Sequence, residues 1–349
     1  MSDLHSQNVA SNVGVTPARI HSFFTQYPQL APIALFVYNR PEHTRRTVES
    51  LRANELAPQS DLFVFADGAK NESAASAVEA VRKFIRTIDG FKSVTIIERE
   101  RNFGLATSVI TGVSQLCEKF GRVIAVEDDL LTASDFLIFM NCALERYVDE
   151  PNIFSVSGFN YSVNAPEQYP YDAFCSYRSS SWGWGTWKDR WEKVDWKVPD
   201  YNSFSRDKER KRSFNRGGED LSRMLALQMA GELDSWAIRW AYAHWTHDAF
   251  ALLPISSRVF NIGLDGSGIH CRVARLRQEA LKAGTELKIR FPLAVASDAR
   301  FTEQICRMHH SSLLRKFARF LFLPMRNRMR RTYASFRHAQ TPSRTAERS

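Results

Sequence analysis

The sequence lacks the cysteine patterns of disulfide-rich and zinc-binding proteins. Its five cysteines are scattered, and no two of them form a CxxC pair: Cys117, Cys142, Cys175, Cys271 and Cys306. This set argues against a disulfide framework and against a zinc site, and it fits a reducing compartment. No apolar run approaches the roughly 18 residues that cross a bilayer, and residues 1–30 show no secretory signal. We therefore expect a cytoplasmic protein.

Excess positive charge is missing from most of the chain. The net charge is +9, but residues 307–349 contain 11 Lys or Arg and one acid. The remainder is close to neutral, so the basic composition indicates nothing about its ligands. Within the basic end, residues 313–331 mix large apolar and basic side chains, as in a helix lying on an anionic membrane surface. A helix packed on the body and a nucleic-acid contact are the alternatives; no nucleic-acid motif accompanies the segment, and we favour the membrane.

Strand-like and helix-like segments alternate in the first half of the chain. Apolar runs predict buried strands at 33–38, 62–66, 94–97 and 123–126, and helices are predicted to begin near Pro41, Ser73, Leu105 and Asp135. This alternation predicts an α/β fold with a mostly parallel sheet flanked by helices. Polar or glycine-containing turns follow all four strands. Because ligands bind at the carboxyl ends of parallel strands, we expect a site there.

The pattern becomes looser after residue 151. We predict helices at 219–230 and 235–245, strands at 251–255 and 258–262, and a mobile polar loop at 206–216. A tryptophan- and glycine-rich segment occupies 179–187, and no internal repeat is present.

Three consecutive carboxylates, Glu127, Asp128 and Asp129, follow the fourth predicted strand. Carboxylates this close repel one another and lose hydration when partly buried. Mg²⁺ or Mn²⁺ would offset this cost, because these ions prefer oxygen ligands and accept further ones from phosphates. The alternative is a solvated turn before a helix N-terminus, where acids are favourable. The position after a buried strand favours a metal–diphosphate site.

Several segments, taken in order, resemble GT-A glycosyltransferases, in particular N-acetylglucosaminyltransferase I and related bacterial sugar transferases. They include FVYNRPEHTRRTVESL, FADGAK, RNFGLATSVITGV, IAVEDDLLTASDFLIFMNCALERYVDEPNIFSVSGFN and NIGLDGSGIH. In this family a Glu-Asp-Asp triplet replaces the commoner Asp-X-Asp motif. The resemblance spans roughly residues 31–271 and leaves both ends uncovered. It implies a GT-A, Rossmann-like fold and a glycosyltransferase that depends on a nucleotide sugar.

The resemblance also implies a donor site at the strand ends. The donor-binding positions carried over are Asn39, Arg40, Asp67, Asn102, Glu127, Asp128 and Asp129. Asp129 would bind the metal directly, and its two neighbours would contact metal-bound water and the ribose. Asp67 would contact the base or ribose, although Asp-Gly is also a common turn pair. Arg40 would lie near the base and phosphates, with a surface ion pair as the alternative.

Inverting transfer needs a base near the acceptor hydroxyl, and Asp234 stands where related inverting enzymes place theirs. Asp234 also suits the N-cap of the following helix, and Asp220 is the second candidate base. The flat rings of Trp182 and Trp184, which alternate with glycines, suit contacts with a sugar, with packing as the alternative. His270 would complete the metal shell, as a late histidine does in some GT-A enzymes, although a lone histidine is usually structural.

These features predict four regions: a flexible leader (1–30), a nucleotide-sugar-binding half (31–150), an acceptor-binding half (151–271) and a basic, partly helical tail (272–349). The hypothesis is metal-dependent transfer from a nucleoside-diphosphate sugar, with UDP favoured, to a glycan or lipid-linked glycan in surface polysaccharide or lipopolysaccharide synthesis. The tail would hold the protein on the cytosolic face of a membrane, and no nucleic-acid partner is expected. A non-catalytic GT-A-like protein that binds glycan or membrane is the alternative; a metal-dependent nuclease fits the ordered motifs poorly.

Overall fold

A computed structural model describes residues 29–265, 281 and 289–310, and the described residues up to Met308 belong to one compact unit. The strands are β1 (Ile33–Val37), β2 (Asp61–Ala66), β3 (Ser93–Glu98), β4 (Arg122–Glu127), β5 (Leu130–Thr132), β6 (Ile153–Ser157), β7 (Ala173–Ser176), β8 (Trp184–Trp187), β9 (Phe250–Pro254) and β10 (Val259–Asn261). The α-helices are α1 (Pro41–Arg52), α2 (Glu72–Ile85), α3 (Leu105–Phe120), α4 (Phe136–Arg146), α5 (Lys188–Trp191), α6 (Tyr201–Arg206), α7 (Lys208–Phe214), α8 (Leu221–Met229), α9 (Trp236–Thr246) and α10 (Ala299–His309).

Eight of these strands form one sheet in the order β3-β2-β1-β4-β8-β6-β9-β7. Strands β1 to β4 are parallel to one another. Strand β8 is antiparallel to both β4 and β6, so β6 and its parallel neighbour β9 run in the same direction as β4. The turns after β1, β2, β3, β4, β6 and β9 therefore lie at one edge of the sheet, which we call the site edge. The predicted mostly parallel α/β sheet flanked by helices is confirmed.

Strands β1, β2 and β4 are buried on both faces, as the alternation of strands and helices predicts, whereas the edge strand β3 is partly exposed. All five residues of β1 are buried, and α1 and α3 bury apolar side chains on one face. Helix α3 ends at Gly121, which adopts a left-handed conformation with φ 75° and allows the chain to turn at once into β4. These short crossovers bring the polar turns after the strands to the site edge.

The predicted mobile loop at 206–216 is wrong, because this segment contains α7. Asp207 caps the helix by accepting hydrogen bonds from the backbone N–H groups of Glu209 and Arg210. At its other end Phe214 is buried and packs against Tyr242 and Trp245 of α9. Phe214, at the end of a basic stretch, holds the helix against α9. The basic composition of the stretch did not indicate this packing.

Helix α9 begins one residue later than an Asp234 cap would place it. The N-cap is Ser235, whose side chain accepts a hydrogen bond from the backbone N–H of Ile238 at 3.3 Å. The predicted capping role of Asp234 is therefore wrong, and its carboxylate is exposed in the preceding turn.

The predicted sugar contact of Trp184 is also wrong. Its side chain is 1% exposed, and its ring packs against Trp236 at 4.9 Å and Trp191 at 5.5 Å between ring centroids. Because Trp184 lies in central strand β8, this ring is part of the core that joins the sheet to α9. Trp182 is partly buried against Phe159, 4.4 Å between centroids, and its sugar contact stays a prediction.

In the part of the chain that the structure describes, no helix is long and apolar enough to cross a membrane. The predicted membrane-surface segment 313–331 and the candidate ligand His270 lie outside the described residues.

Candidate functional site

The acidic triplet lies at the site edge, where β4 ends and a second, two-stranded sheet of β5 and β10 begins. After β10 the chain returns over the triplet, and the backbone N–H of Ile262 donates to the carbonyl oxygen of Asp129 at 2.9 Å. Gly263 then passes so close that a Cβ atom there would lie 2.1 Å from Asp129 Oδ2. Glycine at 263 is therefore a steric requirement of this close approach.

Arg40, in the turn between β1 and α1, pairs with two members of the triplet. Its Nη1 donates to Asp129 Oδ2 at 3.1 Å, and its Nη2 donates to Asp128 Oδ1. Its side chain is 20% exposed, so the alternative of an ordinary surface ion pair does not describe it. Neighbouring Asn39 is partly buried in the same turn. The sequence placed Arg40 near the triplet but did not predict that it binds the carboxylates themselves.

The triplet has more negative charge than Arg40 neutralises. Asp128 is 4% exposed, and its Oδ2 has no hydrogen-bond partner among the described residues. Burial, together with the charges of Asp129 and Asp128, raises the pKa of Glu127 to about 8. Buried oxygens without donors and mutually repelling carboxylates are the environment that a hard divalent cation stabilises. The residues present therefore fit the implied metal ion.

A complete protein cage for the cation is not present among the residues described. No group of three or more His, Cys, Asp or Glu side chains there is arranged to hold a metal. Cations that share substrate phosphates need only one or two protein carboxylates. The predicted ligand Asp129 is consistent with this mode, and the prediction for His270 falls outside the described residues.

Asp67, at the end of β2, is engaged by the turn after β3. Its Oδ1 accepts from the backbone N–H of Gly68 and Phe103, at 2.9 and 2.8 Å. Its Oδ2 accepts from the backbone N–H of Gly104 at 2.9 Å and from Asn102 Nδ2 at 3.1 Å. Four donors fill the usual acceptor positions of a carboxylate. The predicted donor residues Asp67 and Asn102 thus hold two turns of the site edge together.

The same turn presents an aromatic ring that the sequence analysis did not single out. Phe103 is 37% exposed, and the guanidinium carbons of Arg99 and Arg101 lie 4.2 and 5.6 Å from its ring centroid. An exposed phenylalanine directly after an Arg-Asn pair at a strand end was the available signal.

Asp234 directly precedes α9, and two contacts place the start of this helix relative to the sheet. Trp236, at the start of α9, packs against Trp184, and Trp184 pairs in the sheet with Ala125, two residues before Glu127. The start of α9 and the exposed Asp234 before it therefore lie toward the site edge.

The second candidate base, Asp220, has a strong cationic partner. Arg178 donates to both of its carboxylate oxygens, at 2.8 and 2.9 Å, and to the carbonyl oxygen of Gly217 at 3.2 Å. The bidentate guanidinium occupies both oxygens of this carboxylate, which a base must have free to accept a proton. This contact favours Asp234 over Asp220 as the base.

A second ion pair that the sequence did not reveal fixes the turn after β9. Arg258 Nε donates to Asp135 Oδ2 at 3.0 Å, and both side chains are largely buried. The guanidinium carbon lies 4.2 Å from the ring centroid of Phe139. The backbone of Arg258 also joins Gly158 and Ala133, so this residue positions the segment that leads into β10 and Gly263.

The comparison with protein families decides the relationship. A family model described as the GNT-I family matches residues 2–231. The chain belongs to the GNT-I family. The predicted resemblance to N-acetylglucosaminyltransferase I is thereby confirmed.

The relatives of this GNT-I family member are distant. An Arabidopsis thaliana protein, α-1,3-mannosyl-glycoprotein 2-β-N-acetylglucosaminyltransferase, is 24% identical over 180 residues, which cover 49% of this chain and 40% of that protein. The match thus spans less than half the length of the curated relative. Mannosyltransferase PcManGT from Pyrobaculum calidifontis, solved with GDP-Man and Mn²⁺, is 13% identical with a TM-score of 0.34, over 62% of this chain and 71% of that one. Residues 1–349 of S. aureus TarS are 10% identical with a TM-score of 0.37, over 68% and 61%.

Proposed function

We propose that this chain transfers a sugar from a nucleoside-diphosphate sugar to a glycan acceptor, with Mn²⁺ or Mg²⁺ at the acidic triplet. The observation that carries the proposal is the buried Asp128, with one oxygen unpartnered among the described residues, beside Asp129 at the edge where parallel strands end. Membership of the GNT-I family supports it, as does the N-acetylglucosaminyltransferase name of the plant relative.

In this proposal Asp129, with Asp128 and Glu127 beside it, holds the cation, which stabilises the negative charge of the departing diphosphate. Asp234 takes the proton of the acceptor hydroxyl, whose oxygen bonds to the anomeric carbon as the bond from that carbon to the diphosphate breaks; this single displacement inverts the configuration. Trp182, partly exposed at the site edge, contacts a sugar ring. His270 remains a proposed further ligand, and a UDP-sugar remains the preferred donor on the resemblance alone.

The donor site is tested by calorimetric titration with UDP, GDP, ADP and CDP, each with and without Mn²⁺. The variants are wild type, Asp129→Ala and, as a control, Asp89→Ala in an exposed loop. Metal-dependent binding of one nucleotide that is lost only in Asp129→Ala supports the proposal and identifies the base. Binding of none of the four would make the non-catalytic GT-A-like alternative the better account.

The base is tested separately, because donor binding does not need it. Asp234→Asn removes the proton acceptor at nearly constant shape, and Glu232→Gln makes the same change in an exposed carboxylate two residues away. We expect donor binding to survive in both and turnover to fall about 100-fold or more in Asp234→Asn alone. Equal turnover in the two variants would remove Asp234 from this role.

We also propose that residues 313–331 bind an anionic membrane surface and bring the enzyme to a lipid-linked glycan acceptor used in surface polysaccharide or lipopolysaccharide synthesis. The support is the mixture of apolar and basic residues in this segment. Co-sedimentation with vesicles containing about a third anionic lipid, compared with a chain ending at residue 312, tests it. Equal sedimentation of the two chains would contradict the proposal.

A further inference from the structure

Arg40 binds the two carboxylates that the proposed function assigns to a cation. Its two terminal nitrogens reach Asp128 Oδ1 and Asp129 Oδ2, one nitrogen to each carboxylate. The two aspartates are 4% and 9% exposed, so water screens this contact weakly. The guanidinium thus places a positive charge beside two carboxylates of the triplet and partly neutralises them.

The backbone at Gly263 passes close to this contact. An arginine side chain is not deprotonated in proteins. The side chain is therefore a permanent cation. On its outer side, a Cβ atom at Gly263 would lie 3.0 Å from Arg40 Nη1. The guanidinium therefore occupies one oxygen of each aspartate, Asp128 Oδ1 and Asp129 Oδ2.

We propose that Arg40 and the divalent cation compete for Asp128 and Asp129, and that the nucleoside diphosphate relieves this competition by giving the guanidinium another anion. This inference rests on the proposed function. A partly buried guanidinium that loses both carboxylates is unpaired and costly, so the cation alone binds weakly. A diphosphate is a strong bidentate partner for arginine, so it restores the charge balance when it arrives with the metal.

The consequence is cooperative binding between cation and nucleotide. Each ligand increases the affinity of the other by the same factor, because the coupling is reciprocal. Direct contact between cation and phosphate also contributes to this factor. The part that depends on Arg40 is therefore measured as the difference between the coupling in the wild type and in a variant without the guanidinium.

The test is titration of Mn²⁺ by calorimetry, alone and with the nucleoside diphosphate that binds the wild type. Arg40→Met removes the charge at similar length. Arg45→Met makes the same change on an exposed face of α1, where Arg45 pairs with Glu42 and Glu49. We expect Arg40→Met to bind Mn²⁺ alone about tenfold tighter than wild type and to lose about tenfold of the coupling. Arg45→Met should match the wild type in both.

The outcomes separate this inference from the proposed function. If the wild type binds Mn²⁺ with nucleotide but Arg40→Met binds Mn²⁺ alone no tighter, the competition is refuted and the proposed function stands. If neither protein binds Mn²⁺ under any condition, both are refuted.

Thermal unfolding shows whether a variant is destabilised, and it gives a second measure of Mn²⁺ binding. In EDTA we expect the Tm of Arg40→Met to fall, because the carboxylates lose their counter-ion, and Mn²⁺ to raise it more than it raises that of wild type. Arg40→Lys, which keeps the charge but loses the forked contact, should bind Mn²⁺ with intermediate affinity. An Arg40→Lys affinity weaker than that of wild type would contradict competition.

Discussion

Asp67 and Asp128 occupy matching places in the sheet, each directly after a strand that flanks β1. Both are buried, at 6% and 4% exposure. Asp67 accepts four hydrogen bonds, one from the backbone N–H of Gly68 and three from the turn after β3. Asp128 shares one guanidinium with Asp129, and its Oδ2 has no partner among the described residues. The fold supplies enough hydrogen-bond donors for Asp67 but too few for Asp128.

The number of hydrogen bonds that a buried carboxylate accepts distinguishes a structural carboxylate from a ligand-binding one better than its position or its burial does. A carboxylate with all its acceptor positions filled has nothing to gain from a metal or a ribose. A buried carboxylate with too few donors costs free energy until a ligand supplies them. The resemblance assigned both residues to the donor; the hydrogen bonds favour that role for Asp128 and a positioning role for Asp67.

The largest expected effect is on turnover in Asp128→Asn. We expect transfer to fall about 100-fold or more, since in the proposed function one of the charges that would hold the cation is lost. The Tm should stay equal or rise, because the substitution relieves repulsion among three carboxylates that share one arginine. Glycosyl transfer and thermal unfolding are measured on the same preparations, with Asp89→Asn as the control. A large fall in Tm would show that Asp128 is as structural as Asp67.

His244 extends the comparison to a satisfied buried base far from the triplet. Its Nδ1 lies 2.9 Å from the carbonyl oxygen of Trp240 and must donate to it, so Nε2 accepts from Ser155 Oγ, also at 2.9 Å. Burial, helped by His247, lowers the pKa of His244 from its ordinary 6.5 to about 4. The unfolded chain therefore binds the proton first, and stability is lost as the pH falls from about 6.5 to about 4.

This loss amounts to about 3 kcal/mol of unfolding free energy. It is measured by urea unfolding at several pH values in wild type and His244→Gln, with His247→Gln as the control. The extra slope of the wild type between pH 6.5 and 4 should vanish in His244→Gln and persist in His247→Gln. Parallel slopes in wild type and His244→Gln would contradict the assignment.

Asp67→Asn should cost stability where Asp128→Asn does not. The amide places N–H groups opposite donors that were paired with a carboxylate oxygen, which costs about 2 kcal/mol. Urea unfolding measures this cost, and nucleotide titration on the folded variant measures the donor site. Unchanged stability together with lost nucleotide binding would show that Asp67 contacts the donor, as the resemblance implied.

The sequence predicted the parts of the fold that rest on local periodicity. Helix α3 begins at Leu105, as predicted, and Gly104 and Gly121 flank it. The first four strands are short apolar runs between such helices, and their parallel arrangement follows from the alternation. The position of the triplet at the site edge was also predicted from this alternation.

The rest depends on contacts between distant segments. Strand β8 was not predicted, because its sequence Trp-Gly-Thr-Trp suits a ligand surface as well as a buried strand. The pairing of Arg40 with Asp128 and Asp129 joins residues 88 and 89 positions apart. Three of the four donors to Asp67 come from a turn 35 to 37 residues away. Residue spacing does not reveal how many hydrogen bonds a carboxylate accepts.

The smallest expected effect comes from a change in the backbone segment that passes over the triplet. In Gly263→Ala the new methyl group would meet Asp129 Oδ2 at 2.1 Å and Arg40 Nη1 at 3.0 Å, so the segment after β10 must shift. Gly121→Ala is the contrast, since its Cβ meets nothing within 4 Å but its φ of 75° is strained. We expect Gly263→Ala to weaken Mn²⁺–nucleotide binding about tenfold, or about 1.4 kcal/mol, at little cost in Tm. Gly121→Ala should lower stability by about 1 kcal/mol and leave that binding unchanged. Equal binding in both variants would mean that the close approach of Gly263 has no part in organising the acidic site.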